Sequence, residues 1–124
     1  MRVLIVDDSE TTGRLLRAIV RSRGWMICGE ADSGHAGVEQ YQKLKPDLVL
    51  IDLALPDMNG IEAGRHMSAL NRNVPLILFT ILDAEELQTA ARQAGIRQVV
   101  SKANAWALMQ GFETAAIQPI EQRE

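Results

Sequence analysis

The sequence predicts an α/β domain: a five-stranded parallel sheet, doubly wound, with helices on both faces. Three observations predict it. Short apolar runs of strand length, such as Val3-Leu4-Ile5-Val6 and Leu48-Val49-Leu50-Ile51, are continuous where a half-exposed strand would alternate, as suits strands covered on both faces. Between them lie stretches with apolar residues at helical spacing. Strand and helix then alternate about five times with short loops, the pattern that calls for parallel strands and crossover helices.

Each element has local support. Arg2-Val3-Leu4-Ile5-Val6 is the first strand. Ser9 is placed to cap the helix behind it, whose stripe is Leu15, Leu16, Ile19 and Val20, with Gly24 as its stop. Met26 to Glu30 forms a short second strand that includes Cys28. Ser33 or Gly34 opens a helix with Val38, Tyr41 and Leu44 inward, and Pro46 ends it by disfavouring helix at Lys45. The third strand, Leu48 to Asp52, passes into the turn Leu53-Ala54-Leu55-Pro56-Asp57-Met58-Asn59-Gly60. A helix from Gly60 buries Ile61, Gly64, Met67 and Leu70. The fourth strand is Val74 to Thr80, with Pro75 tolerable near its start. Asp83 and Glu86 have capping-box spacing before a helix carrying Leu87, Ala90, Ala91 and Ala94, closed by Gly95. Val99-Val100 is the last strand, ending at Ser101-Lys102. Asn104 caps a final helix with Leu108, Phe112 and Ala115 or Ala116 inside. Gly13, Gly37, Gly64 and Gly111 fall inside helices, each costing about 1 kcal/mol against alanine.

Composition bounds the function. The 124 residues fit one domain, taken as 1–118, with 119–124 a polar tail or the start of a linker. Thirteen basic against sixteen acidic side chains give a net charge of −3, which argues against direct nucleic-acid binding by this domain. No apolar run approaches the roughly 20 residues of a membrane helix. No signal peptide precedes the first strand, and Cys28 is the only cysteine, so the expectation is a soluble cytoplasmic chain. His35 and His66 lie away from the strand ends and read as surface histidines.

The polar endings of the strands are informative together. The first strand ends in Asp7-Asp8, the third in Asp52, the fourth in Thr80 and the fifth in Lys102. Parallel strands bring all these ends to one edge, where ligands of open α/β sheets bind. An isolated Asp there would simply cap a turn. Three carboxylates in one cleft instead repel, by about 4 kcal/mol per pair at 4 Å with an effective dielectric near 20. Raised pKa values, a lysine or a hard cation must offset that. Lys102 supplies one charge, and Mg²⁺ suits the remaining oxygens. A carboxylate so placed can act as a nucleophile and become an aspartyl phosphate, with metal, lysine and hydroxyl neutralising the phosphoryl oxygens.

Asp7-Asp8, Asp52, the Leu55-Pro56-Asp57-Met58-Asn59-Gly60 turn, Thr80 and Ser101-Lys102 occur in an order that closely resembles the response-regulator receiver domains of two-component signalling, of the CheY kind. The resemblance covers essentially the whole chain. It implies the flavodoxin-like strand order 2-1-3-4-5. It further implies that Asp52 accepts a phosphoryl group from a phosphohistidine on a sensor kinase or phosphotransfer protein. Asp8, Asp52 and the Ala54 backbone carbonyl would bind Mg²⁺, with Asp7 acting largely through water. Lys102 would pair with the phosphoryl group, and Thr80 would hydrogen-bond it and draw in the following loop. The output would pass through the face made by the fourth helix, fifth strand and fifth helix, to a partner or to a helix-turn-helix domain of a longer chain, with dimerisation on that face in keeping.

The sequence also departs from the family. Val99 stands where the switch aromatic is usual, Ala103 where proline often follows the lysine, and bulky Ile81 where a small residue follows Thr80. These departures motivate an alternative, a receiver-like protein-interaction module with little dependence on phosphorylation. An aspartyl-nucleophile phosphatase of the haloacid-dehalogenase kind is disfavoured. It needs a second Asp two residues after the nucleophile, where this chain has Ala54, and there is no room for a cap domain. The protein is therefore expected to be a signalling switch and not an enzyme beyond its own phosphoryl transfer and slow dephosphorylation.

Overall fold

The computed structural model describes residues 1–81 and 84–102. Its elements in chain order are β1 (Arg2–Val6), α1 (Glu10–Ser22), β2 (Met26–Ala31), α2 (Gly34–Leu44), β3 (Leu48–Asp52), α3 (Gly60–Leu70), β4 (Leu76–Thr80), α4 (Ala84–Gln93) and β5 (Gln98–Ser101). The strands pair in the order β2-β1-β3-β4-β5, every pairing parallel, as the sequence predicts. Asn104, Leu108, Phe112, Ala115 and Ala116 of the expected last helix lie outside the described residues, as do Asp83 of the capping box, Gly111, Ala103 and the 119–124 tail.

Alternate residues of the central strands serve opposite faces. Val3, Ile5, Leu48, Leu50, Ile77, Phe79 and Val100 pack with Leu16, Ile19 and Val20 of α1. Leu4, Val6, Val49, Ile51, Leu76, Leu78 and Val99 form the other core with Tyr41, Ile61, Met67, Ala91 and Ala94. Double-sided burial is why β3 and β4 read as unbroken apolar runs: every residue of both is buried. β2 is an edge strand, and its register with β1 slips between Val3 and Leu4, skipping Cys28. Cys28 is accordingly half-buried against the second core, less enclosed than a central strand position would be.

Helix ends follow the side chains available to them. Ser9 accepts from the Thr12 amide at 3.4 Å, Ser33 from Ala36 at 3.1 Å and Asn59 from Glu62 at 2.8 Å, satisfying amides that the first turn leaves open. Lys45 ends α2 in the left-handed region at φ 50°. The Arg2 guanidinium also donates to the carbonyls of Leu44 and Lys45 at 2.7 and 3.0 Å. Helical spacing overestimates three inner faces. Leu15 is 37% and Leu70 49% exposed, and Ala90 is exposed, each standing at the margin of its stripe. The fourth strand begins at Leu76, two residues later than expected, because Val74-Pro75 precede its ladder.

Close approach explains most of the helical glycines. A Cβ on Gly37 would stand 2.9 Å from Val6 Cγ1, and one on Gly64 2.8 Å from the Ile96 side chain. On Gly60 it would collide with the backbone oxygen of Asp52. Gly13 differs, meeting only the flexible end of Arg17 at 3.3 Å. Gly60→Ala is therefore expected to lower stability by about 2 kcal/mol or more through overpacking against backbone. Gly13→Ala is expected to be neutral or to gain up to about 1 kcal/mol from helix propensity. Urea denaturation of the two variants beside wild type measures both effects, and equal losses would contradict the contact argument.

Candidate functional site

The carboxyl ends of β1, β3, β4 and β5 deliver the five predicted groups to one edge of the sheet. Asp52 is the last residue of β3, and Thr80 ends β4; both are 2% exposed. The register places Asp52 beside Phe79 and Thr80 beside Ser101. Lys102 follows β5 at once, its backbone N–H donating to the Thr80 carbonyl at 2.7 Å. Asp7 and Asp8 leave β1, with the Asp7 amide donating to Ala31 O at 2.9 Å. Carboxylate oxygens of Asp7, Asp8 and Asp52 all lie within 4.8 Å of one another.

Charge is balanced in part by Lys102. Its Nζ is 3.0 Å from Asp52 Oδ1 and 5.4 Å from the centroid of the Phe79 ring, which supports the ammonium from below. Burial is the main cause that pushes the Asp7 carboxyl up from its ordinary 3.8 to about 6; the charge of Asp52 adds to it, against the Ser9 amide and Lys102, which lower it. Asp7 Oδ1 accepts from that amide at 2.9 Å, while Oδ2 is buried without a hydrogen-bond partner. A buried acceptor without a donor, beside two more carboxylates, is the donor set that a hard divalent cation or a proton satisfies.

The turn after Asp52 is braced on several sides. Leu53 N–H donates to Phe79 O at 3.0 Å, Gly60 N–H donates to Leu53 O at 2.8 Å, and Ala54 bridges Asn59 in antiparallel fashion. At its tip, Asp57 Oδ1 and Oδ2 accept from the amides of Gly34 and His35, both at 2.8 Å. These two hydrogen bonds hold the Asp57 carboxyl below its usual range. In the sequence, Asp57 reads only as a turn residue. The one available signal is that α2 begins without an acidic residue in its first turn. His35 contributes its backbone here, and His66 sits on the exposed flank of α3, 3.5 Å from Glu62.

Of the departures, Val99 is buried in β5 with the core beneath α4, and Ile81 projects from the end of β4, 80% exposed. A cavity of about 800 Å³ at the opposite edge, lined by residues such as Tyr41, Pro46, Asp47, Leu70 and Asn71, shares no residue with the carboxylate cluster. No helix among the described residues is long and apolar enough to cross a membrane.

A fold of this order, with acidic strand ends facing a lysine, defines a class of phosphorylation-controlled signalling domains. The response regulator receiver domain model matches residues 3–111, and the chain belongs to that family. It is 35% identical over 101 residues to the chemotaxis protein CheY of Thermotoga maritima, covering 82% of this chain and 84% of that protein. The response regulator GacA of Pseudomonas syringae is 32% identical over 104 residues, covering 82% of this chain but 48% of that longer protein. Among solved structures, a LuxR-family two-component response regulator from Aurantimonas superposes with TM-score 0.86 at 29% identity, over 98% of this chain and 92% of that one. A CheX-CheY-BeF3-Mg complex from Borrelia burgdorferi gives 0.83 at 28% identity, over 89% and 84%. Receiver domains are signalling switches and not classical enzymes.

The raised Asp7 pKa has a signed consequence for stability. From about pH 4 to about pH 6 the folded state keeps on Asp7 a proton that the unfolded chain has released. This group's contribution is therefore lost as pH rises through that window. Asp7→Asn removes the effect. In metal-free thermal denaturation its midpoint is expected to gain on wild type between about pH 4 and about pH 7, and a constant offset would contradict the assignment.

Proposed function

We propose that the chain accepts a phosphoryl group on Asp52 from a phosphohistidine of a sensor kinase or phosphotransfer protein, and signals to an output partner. The observation that carries this reading is the buried Asp52 carboxylate held 3.0 Å from Lys102 within the three-carboxylate cluster. An Asp52 oxygen attacks phosphorus, the P–N bond breaks, and the imidazole nitrogen of the donor keeps the electron pair. Lys102, paired with Asp52 beforehand, would pair with the phosphoryl oxygens afterwards, and Thr80 lines the adjacent strand end. Mg²⁺ would be held by Asp8, Asp52 and the Ala54 backbone carbonyl, with Asp7 acting largely through water. When bound it would neutralise negative charge on the phosphoryl oxygens. The unpartnered Asp7 Oδ2 supports a cation at this place, and the similar Borrelia CheY complex contains Mg and BeF3.

The output would pass through the face of α4, β5 and the fifth helix, to a separate partner or to a further domain such as a helix-turn-helix in a longer chain. Dimerisation on that face belongs to the same reading. The protein would act in the cytoplasm, and Val99 would require a switch without an inward-swinging aromatic. The alternative, an interaction module indifferent to phosphate, predicts that Asp52→Ala leaves partner binding and regulation intact.

Incubation with acetyl phosphate, read by intact mass, tests the chemistry. A single phosphoryl adduct is expected with Mg²⁺, none without it, and none in Asp52→Ala. Lys102→Ala is expected to slow adduct formation by about 100-fold, the scale of removing one preorganised charge donor. Mg²⁺ affinity, followed by calorimetry, is expected to fall as pH drops through about 6, where Asp7 takes up its proton. Wild type silent toward both acetyl phosphate and beryllofluoride would favour the interaction module.

A further inference from the structure

We propose that Asp57 is a positioning residue for the metal site, fixing the turn that carries Ala54 by holding it to the start of α2; this rests on the receiver reading above. The first turn of α2 shows why the contact forms. An α-helix leaves its first amides without intrahelical partners. Here Ser33 Oγ takes the Ala36 amide at 3.1 Å, and Gly37 N–H reaches the Ser33 carbonyl at 2.9 Å. The amides of Gly34 and His35 remain, and α2 has no acidic residue in its own first turn. Asp57, more than twenty positions away in sequence, supplies one oxygen to each at 2.8 Å. A carboxylate across two amides at the positive end of a helix is a charge-assisted, bidentate contact.

The second side of the contact is steric. A Cβ on Gly34 would collide with the Met58 side chain and stand 3.3 Å from Asp57 Oδ1. Glycine at the first position of α2 therefore lets the tip of the turn come down onto the helix. From that tip the constraint runs back to Asp52 through the Ala54–Asn59 bridge and the Gly60 to Leu53 hydrogen bond of 2.8 Å. Ala54 thus lies between two fixed points, the end of β3 and the Asp57 clamp. Releasing the clamp removes one restraint on the turn that carries Ala54, the Ala54–Asn59 bridge remaining, and leaves Asp7, Asp8, Asp52 and Lys102 in place.

The test compares wild type, Asp57→Ala, Asp57→Asn and Gly34→Ala. Calorimetric Mg²⁺ titration is combined with acetyl phosphate labelling at limiting and at saturating Mg²⁺, and with amide exchange at Gly34 and His35. Asp57→Ala is expected to raise the Mg²⁺ dissociation constant by about five- to tenfold, with the labelling rate at saturating Mg²⁺ within about twofold of wild type. Asp57→Asn keeps one acceptor and should fall between. Gly34→Ala should shift Mg²⁺ affinity in the same direction with the carboxylate still present. Faster exchange at Gly34 and His35 with an unchanged Mg²⁺ constant would reduce Asp57 to a helix cap and overturn the proposal. So would an equal loss of rate at limiting and saturating Mg²⁺. A wild-type chain that binds Mg²⁺ but takes no phosphate would sink the phosphoacceptor reading and leave the affinity comparison to decide the clamp. One that binds no Mg²⁺ would overturn both.

Discussion

The structure depends on keeping negative charge at the end of an apolar sheet. Asp52 is almost fully buried, and two more carboxylates lie within 4.8 Å. In a medium of low effective dielectric such a group is tolerated only with compensation. Lys102 provides it at 3.0 Å, and can do so only because β5 ends where β3 and β4 end. The parallel register is what makes that coincidence regular: every strand delivers its carboxyl end to the same edge. Compensation by one ammonium is incomplete, and the Asp7 carboxyl, raised to about 6 chiefly by burial, is raised further by the charge of Asp52.

That residual imbalance is also what gives the edge its chemistry. A neutral, fully hydrogen-bonded strand edge would be more stable and would have no use for a cation. Here the cores beneath carry the cost. The central strands bury apolar side chains on both faces, each worth about 1.5–3 kcal/mol when fully covered. Burial of that kind offsets the repulsion at the edge, so the fold tolerates an electrostatically unfavourable cluster there. The same division explains why Lys102 lies over Phe79: the ring belongs to the core, and its face supports the charge above it.

Much of this was legible because it follows from one-dimensional pattern. Buried strands announce themselves as unbroken apolar runs, and a carboxylate at the end of such a run has no place in the core. Asp7, Asp8, Asp52, Thr80 and Lys102 could therefore be assigned to one edge from topology alone. What was illegible depends on distance through space. Beyond the missing acidic residue in the first turn of α2, nothing in the sequence links Asp57 to Gly34, or shows that Gly37 yields to Val6 and Gly64 to Ile96 while Gly13 yields to nothing rigid. Marginal residues also escaped: Leu15 and Leu70 fit the helical stripe, yet a helix on a sheet buries a narrower arc than its apolar residues span. The slip at Cys28 lies in the pairing of β1 with β2, and neither strand's sequence marks it.

Val99 constrains how a change at this edge can travel. A β-branched residue in a strand has little rotamer freedom, and Val99 is packed in the same core as Ala91, Ala94 and Ile96. It has no ring to swing between two positions. The ends of β4 and β5 are instead joined through backbone: Lys102 N–H donates to Thr80 O at 2.7 Å, just beyond the Thr80–Ser101 pair. Thr80 and Lys102 are thus connected through backbone, without a side-chain intermediary. Lys102 is the same residue that pairs with Asp52, so charge at Asp52 and the position of the β5 end are linked at both ends of one residue. In this chain the ends of β4 and β5 are joined through the ladder, and Val99 is a packing residue of β5.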